Sequence, residues 1–536
     1  MRTLKMTRRT FLTASGATAL AAVGPRFALG VEPKHGGVLR VAERTDPVGF
    51  DTLGKSRAPV YTQLALGYTH SRLFVFTAEG ELVPDLAASY TQPNLTTYAV
   101  SLKKGVRFHQ KPPVNGRELV ADDVVFTFGR LEQSPEKRLF PTLRSVTAKD
   151  RYTVQFELSA PSADFLSNLA VTTMYIYAKE AGKPTPDGGR DYTAVETCIG
   201  SGPFMLEEYR EKQRLIFKRN PNYFVAGRPY LDSVEVYSIP DLSAQLAAVR
   251  TGQIDLIPAS MGQGLPHHLM KEARAIPGAL VVANNMFQTS DHIVGRVDMK
   301  PWSDVRVRRA ASLAMDRRGY QAALYPEGAD FLSGPIPSQS RYNIPFDKLG
   351  DLARWYKNDV AAAKQLLAEA GYPKGFKTKL FTTTGYGQEF VTRTELMKAM
   401  LATVGIDADI VVQEYPVWIS STYGKANYEG LVHAGPWQLA EEQEWLDACL
   451  PGNSRNHLHI DDPKLTELIR AAGRTTDEAS RTRLIQQFVR SFHENMYRVY
   501  LPLPYQMEVM SSRVKGYKLP VRGANYPLVI ATTWLA

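Results

Sequence analysis

The chain is 536 residues long, 44% hydrophobic and 22% charged, an ordinary globular composition with chain enough for two to four domains and a large core. The net charge of +10 is not a nucleic-acid signature. Arg2, Lys5, Arg8, Arg9 and Arg26 precede the first acidic residue, Glu32, and setting these five aside leaves about +5, with no basic run interleaved with aromatics.

The first thirty residues read as an export signal. TRRTFL (Thr7 to Leu12) fits the twin-arginine motif, and LTASGATALAAVG is a short, weakly apolar run closed by small residues. A buried Ala-rich helix is the alternative, and the signal-peptide order of these regions argues against it. Cleavage is expected between Gly24 and Gly30, with no Cys nearby to accept lipid. No later apolar run reaches the roughly 18 residues a membrane helix needs. An unanchored exported protein of this kind is expected in a Gram-negative periplasm.

GGVLRVAE (Gly36 to Glu43) is a strand. GFDTLGKS (Gly49 to Ser56) then fits the phosphate-loop pattern letter for letter. That loop aims backbone N–H groups at phosphate, whereas Asp51 would bring a negative charge into the nest and Pro59 lacks an N–H where the helix should open. The match is read as coincidence. Between about Ser56 and Thr193 lie the strands TTYAVSLK and YTVQFELS and a helix opening near Asp122. Asp122 and Asp123 suit its dipole, and with Val120 in the capping region its first turn is expected to fray. GKPTPDGGRD (Gly182 to Asp191) is a linker by composition.

Cys198–Ile257 is the most legible stretch. GSGP turns the chain into two apolar runs, FMLEEYRE and RLIFKRN, and LDSVEVYSI alternates as a third strand with Val234, Val236 and Tyr237 available for burial. Asp241 can cap a helix carrying Leu242, Leu246 and Val249, Gly252 suits its C′ position, and QIDLI returns as a strand. Strand, helix, strand with so short a connection predicts a right-handed crossover and a partly parallel sheet. LVVANNMF (Leu280 to Phe287) leads out of this unit. Helices follow around Val307–Ala314, capped by Ser303 or Asp304, around Val360–Leu367, capped by Asn358 or Asp359, and from Asp462-Pro463 and Leu484–Phe492 onward. TKLFTTTGYGQ and DADIVVQEY are strands, and YLPLPYQMEV (Tyr500 to Val509) crosses back, its prolines limiting strand pairing. Two crossings between two α/β lobes allow hinge closure.

Five blocks carry a family resemblance: PDLAASY (84–90), LKKGVRFHQKPPVNGRELVADDVVFTFGRL (102–131), the run from GSGPF to AAVRTGQIDLI, PWSDVRVRRAASLAMDRR (301–318) and DVAAAKQLLAEAGYPKGF (359–376), with KRNPNYF and YLDSVEVYSIPD inside the third. Their order resembles that of the solute-binding proteins of peptide and nickel-type ABC transporters, the family 5 extracellular solute-binding proteins. The resemblance implies a type II periplasmic-binding-protein fold: lobe I from 31–55, 194–283 and 507–536, an inserted α+β domain at 56–193, and lobe III at 284–506, after the signal at 1–30. It implies a monomeric receptor for a small solute (a peptide, an opine, a sugar-like or other polar compound), delivered to a membrane ABC permease; no nucleic acid or cofactor is expected, and nickel-type relatives keep a metal ligand open as the lesser alternative.

Ligand contacts are expected at the carboxyl ends of strands. The candidates are Tyr386, Tyr415, Trp418, His433, Trp437 and Glu441, with Phe50 from the loop the resemblance places beside the cleft. The alternative for each is core packing. Peptide-binding members pair an Asp with the peptide amine a few residues after the Trp equivalent to Trp437; here Ala440 stands there, followed by Glu441 and Glu442. That loss of a charge-assisted bond, about 1.5–3 kcal/mol, argues against a free peptide amino terminus as cargo.

No catalytic motif assembles: G-x-S-x-G, H-E-x-x-H and paired CxxC are all absent. His267-His268 and His457-x-His459 read as polar surface rather than metal ligands. Cys198 and Cys449 could pair or stay buried thiols. The rival function is a secreted hydrolase using the same cleft, with Glu441 or Asp447 as its acid or base.

Overall fold

The computed structural model describes residues 32–55, 59–186, 188–259, 264–284, 287–326, 328–435, 442–519, 521 and 529–536. The expected export signal lies outside them, as do Trp437, Ala440 and Glu441. Lys34 onward forms one unit.

The first sheet grows from the crossover the sequence predicts. Phe204–Arg210 pairs antiparallel with Arg214–Arg219, and that strand pairs antiparallel with Ser233–Ser238. Ser233–Ser238 and Leu256–Ile257 then flank Val38–Glu43, both parallel to it. Asp241 caps the Leu242–Arg250 helix between them by accepting the Ala244 N–H at 2.7 Å, a contact worth about 1 kcal/mol. Gly252, at φ +72°, ends that helix in the left-handed region. Alternation splits the third strand: Val234 and Val236 enter one core, while Tyr237 packs on the helix side with Leu246 and Val249. All three pack against a core, as expected, but on opposite faces of the sheet.

Residues 87–158 supply a four-stranded antiparallel sheet, Ala87–Asn94, Thr97–Leu102, Thr153–Leu158 and Leu143–Asp150 in spatial order. Val100, Phe128 and Phe156 from this segment share one apolar cluster with Leu39, Phe217 and Val234 of the first sheet. The helix Ala121–Gly129 has a cap that Val120 itself could not supply. Asp123 reaches back to accept the Val120 N–H at 2.9 Å and is gripped at both oxygens by Arg117. The expected linker contains a small pairing of Lys183–Pro184 with Arg190–Asp191.

A second sheet has the order Ile406–Gln413, Phe376–Thr383, Leu431–Ala434, His292–Gly295, Val499–Tyr500. The first three strands run parallel and the last pairings are antiparallel. Asp304, Asp359 and Asp462 cap the helices Val305–Ala314, Val360–Glu369 and Pro463–Arg474. These helices and Glu478–Glu494 bury a separate apolar cluster against the sheet. The chain passes between the two sheets twice, from Ala279–Asn284 to His292–Gly295 and from Val499–Tyr500 to Gln506–Ser511. The second passage was expected to pair poorly because of its prolines, and it does. It breaks into three short pairings, because Pro502 and Pro504 remove ladder donors: Val499–Tyr500 in the second sheet, Leu503–Pro504 with Ala329–Asp330, and Gln506–Ser511 in the first. Cys198 and Cys449 are free, each buried in a different cluster. No helix among the described residues is long and apolar enough to cross a membrane.

Candidate functional site

The strands Phe376–Thr383, Ile406–Gln413 and Leu431–Ala434 present their carboxyl ends along one edge, where ligands of α/β sheets bind. Four of the candidates meet there. Tyr386 follows the first strand, Tyr415 and Trp418 follow the second, and His433 sits in the third. The Tyr386 ring lies 5.4 Å from Tyr415 and 5.9 Å from Trp418, both edge-on, and Tyr415 stacks over Trp418 at 6.2 Å. Tyr386 also touches Phe390 at 5.1 Å, and Phe390 stacks flat on His433 at 3.8 Å. Gly385 permits this approach, since a Cβ there would stand 2.4 Å from the Tyr415 Cβ.

The cluster has two layers. Tyr386 and Tyr415 are 48% and 37% exposed, whereas Trp418 and His433 are 1% and 0% exposed. The tyrosines therefore offer rigid contact area with polar tips, and Trp418, His433 and Phe390 hold them in place. Trp418 and His433 are supports in this conformation rather than open contact surfaces, and packing against Tyr423 at 4.7 Å fixes the Trp418 ring.

Beneath the rings lies a buried charge network that sequence reasoning missed. Arg393 is ion-paired to Asp291 and its Nη1 reaches the Tyr325 hydroxyl at 3.4 Å. His433 Nδ1 shares a 2.8 Å hydrogen bond with Thr394 Oγ1, itself 2.8 Å from Thr382 Oγ1. The His433 Nε2 to Asp291 distance, 3.7 Å, is too long for a hydrogen bond. Burial alone would raise the Asp291 pKa, but the Arg393 charge and then His433 outweigh it and hold the carboxyl below its ordinary range. Burial lowers His433 and keeps its ring neutral. Asp291 Oδ1, Arg393 Nε, His433 Nε2 and Trp418 Nε1 are all buried and accept or donate no hydrogen bond within the protein. A signal existed in the sequence: Phe390, Arg393 and Thr394 fall at i, i+3 and i+4 of the Gln388–Ala402 helix, on one face.

Phe50 does not join the cluster. It is buried in the first core, edge-on to Tyr209 at 5.6 Å, and its N–H donates to the Thr193 carbonyl. The phosphate-loop match fails on its geometry too. Asp51 Oδ1 takes the Leu53 N–H, and Oδ2 binds Arg130 at 2.6 Å, so an amide such a loop would aim at phosphate is already occupied. A cavity of about 1040 Å³ borders this loop, with Lys55, Arg130 and Arg190 in its wall. It is lined by the 51–55 loop and the 126–193 region, not by the aromatic layer, so size alone does not select the site. His267 and His457 are buried, contrary to the surface expectation: His267 Nε2 lies 3.1 Å from the Tyr505 carbonyl and His457 packs 4.0 Å from Tyr423. Among the described residues no group of three or more His, Cys, Asp or Glu could hold a metal ion. Asp447 has its carboxyl pushed up to about 6 by burial, but it accepts from Gln443 at 2.8 Å and stands among structural contacts of its helix.

The family model for bacterial extracellular solute-binding proteins, family 5 middle, matches residues 81–451. Di/tripeptide-binding protein 2 of Pseudomonas aeruginosa is 26% identical over 547 residues, covering 94% of this chain and 96% of that protein. Heme-binding protein A of Haemophilus influenzae is 26% identical, covering 82% of each. The periplasmic binding protein DppA of Helicobacter pylori, solved with the peptide STSA, superimposes with a TM-score of 0.75 at 26% identity, over 94% of this chain and 98% of its own.

Proposed function

The chain belongs to the bacterial extracellular solute-binding proteins of family 5, and on that premise we propose that it is an exported receptor for a short peptide or similar small polar solute. In this reading two α/β lobes, joined by the passages at 284–292 and 500–506, close on the solute. The closed complex then presents it to a membrane ABC importer. The first thirty residues direct export by the twin-arginine route, and the mature receptor works as a periplasmic monomer. The family is one of binding proteins, and the rival hydrolase reading has no support in it.

The observation that carries the proposal is the meeting of Tyr386, Tyr415, Trp418 and His433 at the carboxyl ends of three parallel strands. Trp437 and Glu441, in the segment after the third strand, complete the proposed contact set. Glu441 is the candidate to replace the missing Asp at position 440 as partner for a ligand amine. Relatives that bind di- and tripeptides favour peptides as the first class to test. Micromolar affinity, suited to uptake, corresponds to about −8 kcal/mol. Mass spectrometry of solutes retained through gentle purification, followed by calorimetric titration with those solutes, tests the reading. Retention of nothing, with no heat from peptides, opines or sugars, overturns it.

A further inference from the structure

The aromatic layer and the two passages do not account for the contact at Asp164, where the two halves of the protein also touch. Asp164 lies at the start of the Phe165–Asn168 turn of helix, and Phe165 is buried in the apolar cluster that the 56–193 segment shares with the first sheet. That shared core makes the inserted segment and the first sheet one body. Arg481 and the Glu442–Asp447 helix belong to the other body: Trp445 and Leu446 are buried in the second cluster, and Trp445 packs on Phe287 at 5.2 Å.

Around Asp164 the contact is polar. Arg481 Nη2 stands 2.5 Å from Asp164 Oδ1, and the Gln443 N–H donates to Asp164 Oδ2 at 3.2 Å. The Ala163 N–H donates to the Gly473 carbonyl at 3.0 Å. At the rim Arg138 bridges Glu136, on its own body, to Glu444 on the other. Arg481 is seated against the Tyr342 ring at 5.3 Å and Ser340 fixes Glu442 at 3.1 Å, so the partner side is prearranged. Asp164, Arg481 and Glu442 are each at most 5% exposed. A small polar interface between two separately cored bodies is the kind that parts and re-forms, because water can replace its hydrogen bonds.

We infer that Asp164 and Arg481, with Arg138 and Glu444 at the rim, form a clasp that fastens the inserted segment to the 284–506 half on closure and sets how long a ligand is held. The inference rests on the hinged-receptor reading. It gives the inserted segment a role in ligand retention, because Asp164 grips the chain at Gln443, two residues beyond the candidate contact Glu441. Asp164 and Arg481 are positioning residues, since neither belongs to the aromatic layer.

The test places spin labels at Lys149→Cys and Lys364→Cys, both exposed and one on each body, with the buried native thiols left in place. Interspin distances are recorded without ligand and with an equimolar pool of di- to tetrapeptides, in the parent and in Asp164→Asn and Arg138→Gln backgrounds. The expected result is a short-distance population in the parent that falls about tenfold in Asp164→Asn, where a buried charge pair is broken. The fall is about threefold in Arg138→Gln, whose pair is partly solvated, and peptide off-rates rise by matching factors. Arg138→Gln keeps the test valid if Asp164→Asn misfolds. Unchanged distances in Arg138→Gln, or a single distance in the parent under both conditions, overturns the clasp. Calorimetry on the same samples separates the two readings: peptide binding without a distance change removes the clasp alone, and a distance change without binding of any solute removes the receptor.

Discussion

Glu508→Gln offers a quantitative test of how the strand returning to the first sheet is held. Glu508 is fully buried. Oε1 accepts the Ala259 N–H at 3.1 Å and the Tyr517 hydroxyl at 2.7 Å, and Oε2 accepts Asn284 Nδ2 at 2.9 Å. Asn284 ends the strand leading into the first passage, so one carboxyl ties both crossings together. Burial pushes its pKa from the ordinary 4.5 up to about 7, and the three neutral donors recover only part of the cost. Because the folded value is the higher one, the folded protein binds the extra proton between about pH 4.5 and 7. Stability therefore falls with rising pH across that window and is flat above it. At about 1.4 kcal/mol per pH unit the penalty reaches about 3 kcal/mol by pH 8. Gln keeps the shape without the charge, so the variant should match the parent at pH 5 and exceed it by about 1–3 kcal/mol at pH 8. Denaturant unfolding of both proteins at pH 5, 7 and 8 measures the difference. A parent–variant gap that does not change with pH refutes the reasoning.

Tyr386→Ala and Tyr415→Ala remove exposed rings and should each weaken solute binding roughly tenfold, read by calorimetry, with little change in thermal midpoint. A midpoint drop as large as a core truncation would show that the rings are structural. Arg393→Met strands the Asp291 charge and should cost about 3–5 kcal/mol in chemical denaturation at pH 7, most of it restored by adding Asp291→Asn. A single variant as stable as the double would contradict the network. Asp123→Ala removes the cap on Val120 and the grip of Arg117, and should lower stability by about 1–2 kcal/mol; an unchanged midpoint would mean that the first turn holds itself.

Local rules carried most of the architecture. Capping aspartates at 241, 304, 359 and 462 stand where the sequence expects them, because N-capping needs only a side chain and an N–H two or three residues away. The crossover around Val38–Glu43 was legible for the same reason. What failed depended on partners distant in sequence. Phe50 looks like a loop residue until Tyr209 and Thr193 enclose it. His457 looks polar until Tyr423 covers it. Val120 offers no cap, and the rescue comes from Asp123 locked by Arg117. In the candidate site, the sequence could bring Tyr386 and Tyr415 to one sheet edge because each follows a strand. Asp291 and Arg393 were not legible, since they are 102 residues apart and only the second sheet brings them together.

The central claim is capture and release of an unaltered solute. Native mass spectrometry of the protein mixed with a defined peptide pool, followed by release and weighing of whatever bound, tests it in one measurement. The account predicts one solute per chain, recovered at its original mass. Recovery of a cleaved or modified solute, or no complex with any member of the pool, would contradict it.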